Sequence, residues 1–301
     1  DNVARRFVES LSYSFILDQF IDGLIERTQD KIISDAFVLI LGEPGTMKSS
    51  LSVWLYGKLY KKLYEKYPDR NKFWFDFIHY PFEYLNRTNE KIFTSFENFE
   101  TQNISPEPIA IDEAHNLFDV YINSEKIVRE LIRRVFQVRE YRLIHIVNTQ
   151  AANQIPRRVL FNRVTHLFVN FRLFIKKDQI DLSDEYEYQD NKKYTQIILT
   201  AYYSQFNLSR ALKILLKFGG VMDIKTLFKY AIPDKIVSVM PIIYDKENNN
   251  LYQYYRIYKK IIDFIDSFNK VFDIPAAAQE YLFYIIKEYL TDHDKFTEEH
   301  G

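Results

Sequence analysis

The chain has no cysteine, little glycine and no long apolar run, and each shortage excludes a class of protein. Without cysteine, its 301 residues cannot build a disulfide scaffold, a thiolate metal site or a cysteine nucleophile. Every apolar run is shorter than the roughly 20 residues that cross a bilayer, so we expect no membrane span, no signal peptide and a cytoplasmic location. Only 7 residues are glycine, and we therefore expect each where the backbone needs unusual freedom.

Short apolar segments alternate with helix-periodic segments through the first two thirds of the chain. This alternation predicts an α/β fold with a mainly parallel sheet covered by helices on both faces. The predicted strands lie within Ala36–Leu41, Phe73–Ile78, Pro108–Asp112, Leu143–Val147, Val164–Phe174 and Thr195–Tyr203. We therefore expect an N-terminal helix in residues 1–35, a core in 36–205 and a mostly helical region in 206–301. That last region is expected to be a lid, a DNA-binding module or an oligomerisation module.

A glycine-containing turn joins the first predicted strand to a helix and predicts a phosphate-binding loop. It comprises Gly42, Glu43, Pro44, Gly45, Thr46, Met47, Lys48, Ser49 and Ser50. Backbone N–H groups at such a helix N-terminus converge on phosphate oxygens, Lys48 would bridge the β- and γ-phosphates, and Ser49 would ligate Mg²⁺. Met47 stands where this motif normally has glycine. An ordinary strand-to-helix turn is the alternative interpretation.

A pair of carboxylates follows the strand that contains Ile109 to Ile111. Asp112 would hold Mg²⁺ through water, and Glu113 would polarise the water that attacks the γ-phosphate. The alternative is a strand-end aspartate that caps a helix. Because residues 269–272 lack the last residue of a guanine-binding Asn-Lys-x-Asp motif, ATP is expected in preference to GTP.

The fourth predicted strand ends in polar residues that would lie beside this carboxylate pair. Asn148 and Gln150 are candidates to sense the γ-phosphate or orient the attacking water, although a polar cap at a strand end explains them too. The candidate catalytic residues are therefore Lys48, Glu113, Asn148 and Gln150.

Beyond these motifs, the segment from Arg129 to Val169 resembles the FtsK–HerA group of ATPases. The resemblance lies in Arg139-Glu-Tyr-Arg142, the strand ending in Thr149-Gln150, and Ile155-Pro156-Arg157-Arg158. With the phosphate loop it covers residues 36–176. This group includes DNA translocases, archaeal-virus packaging ATPases and Zot-like assembly ATPases, so the resemblance implies a RecA-like P-loop ATPase acting as an oligomeric, ring-forming DNA motor.

AAA+ ATPases are the competing family, with replication or helicase loading as the implied role. Asn148 would be their sensor residue, Phe161-Asn162-Arg163 would be their arginine-finger box, and the helical C-terminal region would be their lid. A strand pair in residues 167–203 suits an extended RecA-like sheet better.

Basic residues are concentrated around the sensor strand, although the whole chain has 40 basic and 41 acidic side chains. Twelve Lys or Arg lie between Lys126 and Lys177, against only Glu130 and Glu140. Such a block predicts contacts with DNA phosphates or with a neighbouring subunit's nucleotide, and a solvated helix face is the alternative. The candidate arginine fingers are Arg139, Arg157, Arg158 and Arg163. An ATP-gated assembly or scaffold protein that does not pump DNA remains the second functional hypothesis.

Overall fold

The structure is a computed structural model that describes residues 13–29, 36–97, 104–176, 194–218, 223–238 and 249–300. Its strands are β1 (Ala36–Gly42), β2 (Phe77–Ile78), β3 (Glu107–Ile111), β4 (Leu143–Thr149), β5 (His166–Lys176), β6 (Tyr194–Ser204) and β7 (Lys235–Ser238). Its α-helices are α1 (Tyr13–Gln29), α2 (Lys48–Tyr64), α3 (Arg70–Asp76), α4 (Pro81–Glu97), α5 (His115–Phe118), α6 (Glu125–Gln137), α7 (Arg157–Arg163), α8 (Gln205–Lys217), α9 (Ile224–Tyr230), α10 (Asn249–Phe272) and α11 (Ala276–His300). Short 3₁₀ turns occupy Val138–Tyr141 and Ala152–Gln154.

The seven strands form one mixed, mostly parallel sheet in the order β2-β3-β4-β1-β5-β6-β7. The pairs from β2 to β5 are parallel, whereas β5–β6 and β6–β7 are antiparallel. Strand β4 lies between β1 and β3, with Leu41 opposite Thr149 and Ile111 opposite Val147. The carboxyl ends of β1, β3 and β4 therefore meet at one edge, where ligands bind in open parallel sheets.

Helices cover both faces of the sheet, as the sequence predicts. All residues of β1 and β4 are buried, which explains their continuous apolar character. One core packs α2 and α10 against the sheet, with Leu55 and Ile262 fully buried. The other packs α6, α7 and α8 against the opposite face through Leu131, Leu160 and Leu212.

The predicted strand over Phe73–Ile78 is wrong for most of its length. Residues up to Asp76 belong to helix α3, and only the two residues of β2 join the sheet. Asp69 caps this helix, because its side chain accepts a hydrogen bond of 2.8 Å from the Lys72 N–H. A short apolar run fits a buried strand and a buried helical turn equally well, and here the Asp69 cap and the burial of Phe73 and Trp74 favour the helix. Helix α4 was not predicted.

The chain ends in two long helices that pack on the core. Helix α10 buries Leu251, Tyr258, Ile262 and Ile265, and Phe283 of α11 packs against Tyr258. The predicted boundary at residue 205 stays a prediction, although β7 pairs with β6 across it. Residues 1–12 and 30–35 of the predicted N-terminal segment lie outside the described residues. Within the described ranges, no helix is both long and apolar enough to span a bilayer.

Candidate functional site

The loop between β1 and α2 is held in a tight turn by its own backbone. Gly45 has φ 74°, and a Cβ added to Gly42 would lie 2.5 Å from Thr46 Oγ1. Met47 adopts φ 63° and ψ 28°, the left-handed conformation that glycine favours. The methionine therefore takes the backbone conformation of a glycine here, at some cost in strain.

Strand β5 supports this loop from the side. Asn170 Nδ2 donates to the Thr46 carbonyl at 2.8 Å, and Arg172 Nη2 donates to the Pro44 carbonyl at 2.8 Å. Arg172 belongs to the basic block of residues 126–177 but was not predicted to contact the loop. Because β5 pairs with β1 in parallel, the sheet register places a cation at the loop.

Lys48 begins helix α2, and its side chain folds back over the loop. Its Nζ donates to the Glu43 carbonyl at 2.9 Å. Burial lowers the pKa of Lys48 and outweighs the opposing attraction of Asp112 and Glu113. The ammonium is therefore a poorly hydrated cation at a helix N-terminus, which suits it to bind an anion.

Asp112 joins the loop to the two neighbouring strands. Its Oδ1 accepts hydrogen bonds from Ser49 Oγ at 2.9 Å and from Asn148 Nδ2 at 2.8 Å. Asn148 is fully buried and also donates to Ser52 Oγ at 3.0 Å. The structure thus brings together Ser49, Asp112 and Asn148, which are up to 99 residues apart in the chain.

Glu113 is held by both its backbone and its side chain. It has φ 53°, and its N–H donates to Asn148 Oδ1 at 3.0 Å. Its Oε1 lies 3.0 Å from the Nζ of Lys259, in helix α10. Burial alone would raise the pKa of Glu113, but the attraction of Lys259 and of two nearby histidines outweighs it and lowers the pKa.

One face of α10 contacts the site through residues that were not predicted to belong to it. Tyr252 Oη lies 3.0 Å from Ser50 Oγ, Tyr255 Oη donates to Asp112 Oδ2 at 3.2 Å, and Lys259 pairs with Glu113. Neither Tyr255 nor Lys259 was among the predicted site residues. Their spacing of three, four and seven residues shows a shared helix face, but no sequence signal connects that face to residue 112.

Gln150 lies exposed beyond the end of β4. Its N–H and the Thr149 hydroxyl both donate to Gln154 Oε1, at 3.1 Å and 2.6 Å. Gln154, which the sequence analysis did not select, therefore shapes this turn. In the described part of the chain, no hydrogen bond from the Gln150 side chain joins the network around Asp112.

The four candidate arginine fingers have different surroundings. Arg139, Arg157 and Arg158 are exposed. Arg163 is 4% exposed, and its guanidinium lies 5.9 Å from the centre of the Phe136 ring that Arg158 also covers. Three of the four side chains thus face solvent, where a second subunit or a polyanion can reach them.

The oxygens at this edge suit a magnesium nucleotide. The Ser49 hydroxyl and the Asp112 carboxylate are hard oxygen ligands within hydrogen-bonding distance of each other. The described residues contain no group of three or more His, Cys, Asp or Glu that would hold a metal alone. Mg²⁺ usually binds through one or two protein ligands plus water and phosphates, so this donor set fits it.

Comparison with protein-family models and with curated proteins finds no match for this chain. The function must therefore be inferred from the residues of the site.

Proposed function

We propose that this chain is a Mg²⁺-dependent ATPase with a RecA-like P-loop core. One observation carries the proposal. The Ser49 hydroxyl, at the N-terminus of α2, donates to the Asp112 carboxylate, and the neighbouring Lys48 ammonium donates to the Glu43 carbonyl in the loop. A lysine, a hydroxyl and a carboxylate around converging backbone N–H groups are what a metal-bound polyphosphate needs.

The order of the strands supports this proposal. Because β4 separates β1 from β3, a polar residue of β4 lies beside both the loop and the acidic pair. Asn148 occupies that position and contacts Asp112. The antiparallel strands β6 and β7 extend the sheet beyond β5, which favours an extended RecA-like sheet over the AAA+ alternative.

Each residue has a distinct role in the proposed reaction. Lys48 and the loop N–H groups bind and orient the phosphates, and Ser49 and Asp112 hold the metal. Glu113 orients the attacking water and accepts its proton. Asn148 fixes the Glu113 backbone and the Asp112 carboxylate. When bound, Mg²⁺ supplies positive charge that stabilises the transferring phosphoryl group.

Replacing Lys48 tests whether the loop binds phosphate. We expect Lys48→Ala to lower ATP turnover by about a hundredfold or more, since a donor aimed at developing charge contributes on that scale. Lys62→Ala, an exposed lysine of the same helix, is the control and should keep wild-type activity. Phosphate release measures both variants, and a Lys48→Ala protein that hydrolyses ATP at the wild-type rate would refute the proposal.

Replacing Glu113 separates binding from chemistry. Glu113→Gln keeps the shape but removes the base, so we expect nucleotide binding to persist while turnover falls by roughly two to four orders of magnitude. Glu125→Gln, exposed on α6, is the matched control. Normal hydrolysis by Glu113→Gln would remove Glu113 from the mechanism.

We propose further that the ATPase works as an oligomeric motor on DNA. The exposed Arg139, Arg157 and Arg158 support this step, because guanidinium groups bind phosphates of nucleic acid and of a neighbour's nucleotide. DNA should stimulate hydrolysis at low salt, and a closed ring should form with an ATP analogue. A nucleotide-bound monomer that DNA does not stimulate would favour the ATP-gated scaffold instead.

A further inference from the structure

Helix α10 packs against the core beside the site. Its inner face buries Leu251, Tyr258, Ile262 and Ile265 in the same core as α2, and each is at most 1% exposed. Moving the helix away would return all of this apolar surface to water. Burial of these side chains therefore stabilises the position of the helix beside the site.

Lys259 brings a second lysine to the carboxylates of the site. Its Nζ lies 3.0 Å from Glu113 Oε1, and the two side chains are 30% and 36% exposed. Burial disfavours the charged form, but attraction to Asp112 and then Glu113 outweighs it and raises the pKa of Lys259. The ammonium is therefore charged and held at the acidic pair.

Lys259 also offsets negative charge at the acidic pair, where Lys48 is the other lysine. With it, the two lysines (Lys48 and Lys259) offset the two carboxylates (Asp112 and Glu113). Without it, these groups would have one excess negative charge. A nucleoside triphosphate is a polyanion, so the excess charge would oppose its binding in a partly buried site.

Tyr255 orients the other carboxylate from the same helix face. Its hydroxyl donates to Asp112 Oδ2 at 3.2 Å, while Ser49 and Asn148 donate to Oδ1. Both oxygens of Asp112 are thereby fixed, one by the core and one by α10. A carboxylate held in this way needs little reorganisation to bind a cation.

We propose that Lys259 is a positioning residue of the nucleotide site, which holds Glu113 and supplies the cation that lets a polyanion bind beside Asp112 and Glu113. This inference rests on the proposed function. It adds α10 to a site that the sequence analysis confined to residues 42–163, and it predicts that the C-terminal region is needed for nucleotide binding itself.

The test measures equilibrium binding of a fluorescent, non-hydrolysable ATP analogue with Mg²⁺. We expect Lys259→Met to weaken binding about ten- to fiftyfold at low ionic strength, and this loss should shrink as salt screens the missing charge. Lys259→Arg should bind within about threefold of wild type, because it restores the charge. Lys260→Met, exposed on the same helix, controls for a general change of surface charge.

Thermal unfolding shows whether each variant is folded, and Lys259→Gln replaces Lys259→Met if the latter is not. Wild-type or tighter binding by the uncharged variant would overturn the inference, because Lys259 would then be irrelevant to the nucleotide or would compete with it for Glu113. A salt-independent loss that arginine does not restore would also overturn it. If the folded wild type itself fails to bind the analogue, the proposed function fails, which separates the two conclusions.

Discussion

Replacing Asn148 by alanine removes the residue that connects strand β4 to both carboxylates. Its fully buried side chain makes three hydrogen bonds, to Asp112 Oδ1 at 2.8 Å, to Ser52 Oγ at 3.0 Å and from the Glu113 N–H at 3.0 Å. Alanine cannot replace any of them. We therefore expect Asn148→Ala to destabilise the fold and to disorganise the site.

The expected loss of stability in Asn148→Ala follows from the groups that the substitution leaves without hydrogen-bond partners. A buried N–H with no acceptor costs about 1–3 kcal/mol, and a hydrogen bond to a charged group contributes about 1.5–3 kcal/mol. Asp112 keeps its bonds from Ser49 and Tyr255, so the two losses do not add fully. We expect a loss of about 3 kcal/mol in the free energy of unfolding.

The same bond maintains an unfavourable backbone conformation. Glu113 has φ 53°, which costs a side-chain-bearing residue about 1–2 kcal/mol. Without the Asn148 acceptor, Glu113 is free to relax toward an ordinary conformation. Its carboxylate would then leave the position that the proposed mechanism requires, and under that mechanism ATP turnover should fall together with stability.

Urea unfolding followed by circular dichroism measures the stability loss, which should lower the midpoint and leave the slope unchanged. The control is Asn162→Ala on the exposed surface of α7, where the side chain donates to the Arg158 carbonyl at 2.9 Å. Its expected cost is below about 0.5 kcal/mol. A loss below about 1 kcal/mol for Asn148→Ala would refute the role given to these three bonds.

Two further predictions concern a tight turn and a partly buried carboxylate. Gly42→Ala should destabilise the fold by about 2 kcal/mol or more, because the new Cβ would lie 2.5 Å from the Thr46 hydroxyl. Gly23→Ala in α1 should instead stabilise the fold by about 0.5–1 kcal/mol, because its new Cβ would meet no group packed against the helix among the described residues. Urea unfolding of both variants checks the contrast, and equal effects would contradict it. Burial alone would raise the pKa of Glu107, but the attraction of Arg87 and Lys91 outweighs burial and lowers the pKa to about 2. The stabilisation from Glu107 is therefore present above pH 4.5 and is lost as the pH falls toward 2. Between these pH values, the free energy of unfolding of Glu107→Gln should fall less steeply than that of the wild type. Urea unfolding at a series of pH values measures both, and parallel curves for the two proteins would contradict the prediction.

The local order of residues was sufficient to predict the loop and the acidic pair. In β1 and β3, a run of apolar residues ends in a polar group, and sheet geometry brings the ends of parallel strands to one edge. Ser49, Asp112 and Asn148 could be selected on that basis alone, and their side chains are in contact. Met47 stands where the motif normally has glycine, and the structure shows it in the left-handed conformation that glycine favours.

Other features depended on packing that no local pattern encodes. The run from Phe73 to Ile78 has the composition of a strand, but the Asp69 cap and the burial of Phe73 and Trp74 make most of it helical. Arg172 is at the loop only because β5 pairs with β1. In each case, the competing conformations have similar local propensities, and tertiary contacts decide between them.

By itself, the sequence determined where the glycine-containing loop, Lys48 and the acidic pair stand relative to strand ends. The tertiary structure alone decided that α10 closes one side of the site. Lys259 lies 146 residues from Glu113 in the chain. The sequence of a basic helix face does not show whether that face contacts solvent, DNA or a carboxylate. The buried stripe of α10 docks on the core and turns Tyr255 and Lys259 toward Asp112 and Glu113. That docking follows from apolar burial over the whole helix, which no short motif records.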